Sequence, residues 1–225
     1  MRDGGRQILR DVDDEEQRQD EDPEGGERGT ALELERRAAE LLLSSGHIDE
    51  GSELLSGVLS RVRVRAPRAQ SFALASLLMN RARARLRGLS FQERPAQHLA
   101  TSDLVRVDTL WAATARLGSV DTIRAADFQT RHLMFSLDLG EPFRVVRALL
   151  AEAIFVCMGG PSNAPRFQKL LALAEDVLPR VEEPYAAAMF EFAQGIAAYQ
   201  FGRYREGFAK LDGAARAFRT RCTGA

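Results

Sequence analysis

The sequence predicts an all-α protein of about nine helices, and two observations support that class. Apolar residues recur every three or four positions through most of the chain, which is the spacing of one helix face. Glycine and proline number only 18 and 8 in 225 residues, and they stand mostly between the periodic stretches, where helices end. We find no stretch that predicts a β-strand.

The first 29 residues predict a disordered acidic tail. Acidic residues clearly outnumber basic ones there, and the segment has almost no apolar residue apart from Ile8, Leu9 and Val12. Such a segment buries too little apolar surface to offset the entropy lost on ordering. Residues 30–225 are therefore expected to form the folded domain.

Helical periodicity begins in "ALELERRAAELLLSSG", where Gly46 predicts the end of the first helix. The second helix follows at Ile48 with acidic residues in its first turn, as the helix dipole favours. Ser102 and Asp103 predict the cap of the fourth helix, and Glu141 with Pro142 predicts the start of the sixth. The third to ninth helices are expected within residues 71–89, 102–118, 121–140, 141–160, 163–178, 183–202 and 204–221.

A six-residue pattern occurs twice between predicted helices, as "GHIDEG" at 46–51 and "GRYREG" at 202–207. In each copy the first glycine follows one helix and the glutamate opens the next. The pattern predicts the same helix-turn-helix twice, although two unrelated helix hairpins would give it as well.

Small residues in the second copy stand where two helices would approach closely. Gly195, Gly207 and Ala214 are the predicted contact positions, Gly202 the turn, and Tyr204 and Leu211 the residues that fill the wedge between the helices. The corresponding positions of the first copy are Ala39, Gly46, Ile48, Gly51 and Leu55.

This pattern resembles the tetratricopeptide repeat, a helix-turn-helix of about 34 residues. The match is partial, since Glu191, Gln194, Ala198 and Arg219 replace residues that the family favours. The resemblance implies an α-solenoid of degenerate helix hairpins with an irregular middle. It also implies a concave surface that binds a protein segment.

A second resemblance covers most of the chain from Ala31 onward. "LELERRAAELLLSSGHIDEG", "DTIRAADFQTRHLMFSLDLGEPFRVVRALLAEA" and "FRTRCTGA" are similar to the helical-repeat region of large bacterial proteins that join a serine/threonine kinase to a signal-transducing ATPase module. The resemblance implies a fragment of the regulatory portion, with the kinase and ATPase modules as candidate partners. The catalytic motifs of both modules are absent here.

The sequence indicates no enzyme, cofactor or metal site. It contains no phosphate-binding loop, and its three histidines and two cysteines lack the spacing of metal ligands. His132 is expected to be packed or exposed rather than catalytic, and Trp111 to be a core residue rather than part of a ligand site. Glu182 and Glu183 are expected to be solubilising loop residues, with an acid-base pair as the alternative.

Arginines concentrate between Arg61 and Arg87, and Arg81, Arg83, Arg85 and Arg87 alternate along one predicted helix. Leu78, Ala82 and Leu86 are expected to form a buried line between these arginines. The arginines predict a solvated helix face, with a nucleic-acid-contacting patch as the alternative. Aromatic residues for base stacking are missing, which disfavours that alternative.

These observations together predict a non-catalytic regulatory scaffold that binds a protein or peptide segment. A cytoplasmic location is expected, because the chain starts with charged residues and its longest apolar run, "AIFVCMGG", is too short to span a bilayer. Neither a membrane nor nucleic acid is the expected partner.

Overall fold

A computed structural model describes residues 23–61, 64, 70–118 and 121–222 of the chain. Within helices the description covers the backbone only at residues 23–30, 40, 43, 44, 48, 49, 52, 70 and 71. The described residues form nine α-helices and no β-strand, so the predicted all-α class is confirmed. The solenoid arrangement is compatible with these helices and stays a prediction.

The helices are numbered here in chain order. Their bounds are α1 Pro23–Ser44, α2 Ile48–Arg61, α3 Gln70–Arg87, α4 Thr101–Leu117, α5 Thr122–Leu139, α6 Pro142–Cys157, α7 Ala164–Val177, α8 Pro184–Gln200 and α9 Tyr204–Arg221. Short 3-10 turns lie at Ala96–His98, Pro161–Asn163 and Leu178–Arg180.

The chain divides into two compact units, one up to Val58 and one from Leu59 onward. In the first unit α1 begins at Pro23, eight residues before the predicted helix start at Ala31, so residues 23–29 of the predicted disordered tail are helical. The rest of the predicted acidic tail, residues 1–22, lies outside the described residues. Ala39, Gly51 and Leu55 are buried, whereas the side chain of Ile48 lies outside the described part.

The two hexapeptides form the same turn. Gly46 and Gly202 both have the left-handed backbone that favours glycine, with φ of 91° and 81°. The N–H of the next residue donates to the carbonyl five residues back, from His47 to Leu42 at 2.9 Å and from Arg203 to Ala198 at 2.8 Å. This is the Schellman cap, which satisfies carbonyls left open at a helix end.

The backbones of α8 and α9 approach closely at Gly207. A Cβ atom there would lie 3.0 Å from the Tyr199 nitrogen and 3.1 Å from the Gly195 oxygen, while a Cβ at Gly195 would lie 2.8 Å from Cγ of Leu211. Ala214 is fully buried about two turns further along the same face of α9. Tyr204 does not fill the wedge, because it is 63% exposed. The centroid of its ring lies 5.3 Å from that of Tyr199.

Replacing Gly207 with leucine is expected to lower the free energy of unfolding by about 1 to 3 kcal/mol, because the new side chain meets backbone that cannot move aside. Leucine is the better helix former by several tenths of a kcal/mol, so an exposed glycine would give the opposite sign. Urea unfolding of Gly207→Leu against Gly57→Leu measures the difference, because a Cβ at Gly57 meets nothing within 4 Å. Equal midpoints in the two variants would contradict the close contact.

Gly51→Leu is expected to lower the unfolding midpoint as Gly207→Leu does, if the two hexapeptides are equivalent repeats.

In the second unit α6 has the most helix neighbours. It packs against α4, α5, α7 and α8, while α5 also contacts α3 and α4, and α8 contacts α9. The core lies around α6 and is built mainly from Val145, Leu149, Leu150, Phe167 and Leu170.

The ends of α5 and the start of α6 follow the sequence signals, whereas the start of α4 does not. Gly140 ends α5 with φ of 80°, and the carboxylate of Glu141 accepts from the N–H groups of Phe143 and Arg144 to cap α6. The predicted cap of α4 at Ser102 and Asp103 is wrong. Its N-cap is Ala100, which makes no side-chain cap, so those two residues lie in the first turn.

Candidate functional site

The buried face of α3 combines small apolar and polar residues, with Ala73 and Asn80 both buried. Asn80 is buried and donates to Oδ1 of Asp127 on α5 at 2.8 Å, and Ser76 donates to the same oxygen at 3.0 Å. Arg131 of α5 donates to Oγ of Ser76 at 2.7 Å and forms an ion pair with Asp127 at 2.8 Å. These bonds fix the rotation of α3 about its axis, because each polar group would lose its partner if the helix turned.

The opposite face of α3 is apolar and exposed. Phe72 is 71% exposed, Leu78 63% and Leu86 89%, and the same surface carries Leu74 and Met79. We call these five residues the outer face of α3. The predicted buried line of Leu78, Ala82 and Leu86 is therefore wrong, since all three are exposed.

The error has a physical cause. The apolar period alone does not define the packed side of α3, because small Ala73 and hydrogen-bonded Asn80 are the residues buried there. Several large apolar side chains exposed together on one helix can mark an interaction surface.

The four predicted patch arginines have different environments. Arg87 donates to Asp138 at 2.7 Å and to the carbonyls of Gly88 and Ser90, so it stabilises the C-terminal end of α3 and the turn after it. Arg81 pairs with Glu152. Only Arg83 and Arg85 stand exposed beside the outer face, which makes the basic surface smaller than the sequence suggests.

Glu152 joins three helices. Its side chain on α6 is fully buried, and its Oε1 accepts from Arg81 on α3 and from Arg166 on α7, the latter at 3.1 Å. Its Oε2 accepts no hydrogen bond from the residues that the structure describes. Burial raises the pKa of this carboxyl, although both arginines act in the opposite direction. We call Glu152, Arg81 and Arg166 the Glu152 cluster.

A second ionic cluster joins α4 and α6 around Asp108. Arg144 donates to both carboxylate oxygens of Asp108, from Nε to Oδ1 at 3.1 Å and from Nη2 to Oδ2 at 2.6 Å. Arg147 also donates to Oδ1. The Arg147 guanidinium lies over the rings of Trp111 and Phe143, 5.4 Å and 5.2 Å from their centroids. Burial acts to raise the pKa of Asp108, but Arg147 and Arg144 outweigh it and leave that pKa lowered.

His132 lies in the interior beside this cluster. It is fully buried, its Nδ1 lies 3.2 Å from Oε1 of Gln129, and its ring centroid is 5.7 Å from that of Trp111. Burial, and then the charge of Arg147, hold the pKa of the imidazole well below its ordinary value, so His132 is neutral. Of the two environments expected for His132, packed or exposed, the structure shows the packed one, and Trp111 packs partly buried against the core.

Glu182 and Glu183 are exposed just before α8. They line an open pocket of about 560 Å³ together with Phe143, Glu93 and Arg180, of which the last two form an ion pair at 2.8 Å. Within the described ranges, no group of three histidine, cysteine or acidic residues is placed to hold a metal ion. Nor does any helix there have the length and apolarity needed to cross a membrane.

No protein-family model, curated protein or solved structure matches the chain. The resemblances drawn from the sequence therefore stay predictions. The outer face of α3, with Arg83, Arg85 and the neighbouring Glu152 cluster, is the candidate functional site.

Proposed function

We propose that the chain is a non-catalytic, cytoplasmic scaffold that binds a helical protein segment on the outer face of α3. The observation that carries the proposal is the orientation of this helix, which packs Ala73 and Asn80 inward and presents Phe72, Leu78 and Leu86 outward. Burying such side chains against a partner is favourable by about 25 cal/mol for each Å² of apolar surface.

The spacing on α3 suits a helical partner. Leu74 and Leu78 are four residues apart and Leu78 and Leu86 are eight, so they belong to one i, i+4 ridge that runs obliquely across the helix surface. Helices that bind in this way place residues at i, i+3, i+4 and i+7 along such a ridge. The regulatory role in bacterial kinase signalling implied by the sequence resemblance is part of the same proposal.

The test uses two glutamines in place of two leucines. Peptides from a displayed helical library are selected on the full chain, and their affinities are measured by fluorescence anisotropy for the parent and for Leu78→Gln with Leu86→Gln. We expect the double variant to bind at least about tenfold more weakly, since a central apolar contact typically contributes more than 1 kcal/mol. Its melting temperature should stay unchanged, because both positions are exposed and glutamine forms helices nearly as well as leucine.

Phe208→Gln is the matched control. Phe208 is 74% exposed on α9, away from α3 in sequence, and its loss should leave the affinity unchanged. Selected peptides that bind the Leu78 and Leu86 variant as tightly as the parent would show that the outer face of α3 is not the binding surface.

A further inference from the structure

The Glu152 cluster carries more positive charge than its buried carboxylate can balance. Two guanidinium groups share one oxygen of Glu152, so the trio has a net charge of at least +1 in either protonation state of the carboxyl. Neither arginine is fully buried, with 23% of the Arg81 side chain and 38% of the Arg166 side chain exposed. The cluster therefore presents unbalanced positive charge at the surface.

Both guanidiniums have donors left over. Each offers five N–H groups, and each uses one nitrogen toward Glu152. Since both nitrogens meet the same oxygen, the two groups are close neighbours that a single anionic group can bridge. The buried Glu152 carboxylate fixes both side chains. They therefore lose less conformational entropy on binding an anion than freely exposed arginines would.

The cluster continues the outer face of α3. Leu74, Leu78, Arg81 and Arg85 follow one another at intervals of four, three and four residues, so they lie on one stripe of the helix. A partner helix that covers Leu74 and Leu78 would extend over Arg81 and its neighbour Arg166. The apolar contacts and the anion site thus lie within the reach of one ligand.

We propose that Arg81 and Arg166 bind a carboxylate side chain of the partner, so that the segment recognised on α3 is an acidic amphipathic helix. This inference rests on the proposed function and names the chemistry of the ligand. Leucine-like side chains of the partner contact Leu74 and Leu78, and a glutamate or aspartate one to two turns further along accepts from the arginine pair. Charge-assisted bonds of this kind are about twice as strong as neutral ones.

The probes are two fluorescein-labelled synthetic helices with the same leucine stripe. One carries glutamates on the flanking positions, and the other carries glutamines at those positions. Fluorescence anisotropy with the full chain is expected to show about tenfold tighter binding of the glutamate helix, with the advantage shrinking as salt is raised. Both helices should lose affinity to the Leu78→Gln with Leu86→Gln variant.

Arg166→Gln isolates the anion site. It leaves the Arg81 to Glu152 bond in place, so folding should be retained, and it should remove most of the tenfold preference without changing the affinity of the glutamine helix. Arg180→Gln is the control, because Arg180 is a comparably exposed arginine in an ion pair with Glu93. That variant should keep the full preference.

The outcomes separate the two proposals. If neither helix binds with a Kd below about 1 mM, or if binding ignores Leu78 and Leu86, the proposed function is wrong. If both helices bind through those leucines but equally well, or if the preference survives Arg166→Gln, only the anion site is wrong. Tighter binding of a single-stranded oligonucleotide than of the glutamate helix, lost in Arg166→Gln, would overturn the inference in favour of a nucleic-acid ligand.

Discussion

Asp108→Ala is expected to lower the free energy of unfolding by about 3 to 5 kcal/mol, the usual cost of breaking a buried ion pair from one side. The substitution removes the carboxylate shared by Arg144 and Arg147. Arg144 keeps Glu141 at 3.0 Å, but Arg147 is 7% exposed and has no second carboxylate among the described residues. Urea unfolding followed by circular dichroism measures the loss.

Two further variants test the cause of that loss. Asp103→Ala removes an exposed carboxylate 3.9 Å from Arg106 on the same helix, and should cost less than about 1 kcal/mol. Adding Arg147→Met to Asp108→Ala should recover much of the stability, because it removes the uncompensated charge and keeps an apolar chain between Trp111 and Phe143. A double variant less stable than Asp108→Ala would contradict the assignment.

The contribution of Asp108 should also depend on pH in a definite direction. Its pKa is lowered in the folded state, because Arg147 and Arg144 together outweigh the effect of burial. Its stabilisation is therefore complete above the ordinary pKa of aspartate and is lost as the pH falls through the lowered value. The difference in stability between the parent and Asp108→Ala should shrink in that acidic range and stay constant at neutral pH.

Gly140→Ala is the second substitution with a large expected effect, about 2 to 5 kcal/mol of lost stability. Gly140 has φ of 80°, and a Cβ there would lie 1.9 Å from the carbonyl oxygen of Gln92. Backbone rather than a side-chain end occupies that space. The segment at Gln92 would have to move, and the bond from the Arg94 nitrogen to the Gly140 oxygen, 3.1 Å long, would be lost.

Gly202→Ala provides a closely matched control for this effect. Its φ is 81°, yet a Cβ there meets nothing within 4 Å, so only the backbone strain of about 1 to 2 kcal/mol should be seen. Thermal and urea unfolding of the two variants measure both changes. If the two variants lose equal stability, the close approach of a Cβ at position 140 to the Gln92 carbonyl oxygen does not contribute to the loss.

Local signals in the sequence predicted the helices well. Gly46, Gly140 and Gly202 end helices with left-handed backbone, and Glu141 with Pro142 opens α6, because capping depends on residues only a few positions apart. The class of fold followed from these signals and from the apolar period.

The orientation of α3 could not be predicted in the same way. Its apolar residues suggested a buried line at Leu78, Ala82 and Leu86, while the packed side is set by Asn80 and Asp127, which lie 47 residues apart. The apolar period of one helix gives no information about a hydrogen bond to a residue that lies so far away in the sequence. The contact of α3 with α5 therefore leaves Leu78 and Leu86 exposed, which the apolar period alone does not indicate.

Glu152 was missed although a signal for it exists. It is a single charge within the apolar run "ALLAEAIFV", on a helix whose other residues around it are almost all buried. A charge in that setting requires a partner, since burying it alone is too costly. The sequence could have indicated the need for a cation, but not that Arg81 and Arg166 supply it.

The turn at Gly202 also bears on how the chain folds. Only Phe201, Gly202 and Arg203 separate α8 from α9, so closing this hairpin requires little loss of chain entropy. Contacts between near neighbours in sequence form early, and proteins rich in them fold quickly. The α8 and α9 pair is thus suited to act as a nucleus onto which α6 condenses, whereas the contact of α3 with α5 joins distant parts of the chain and is expected to form late.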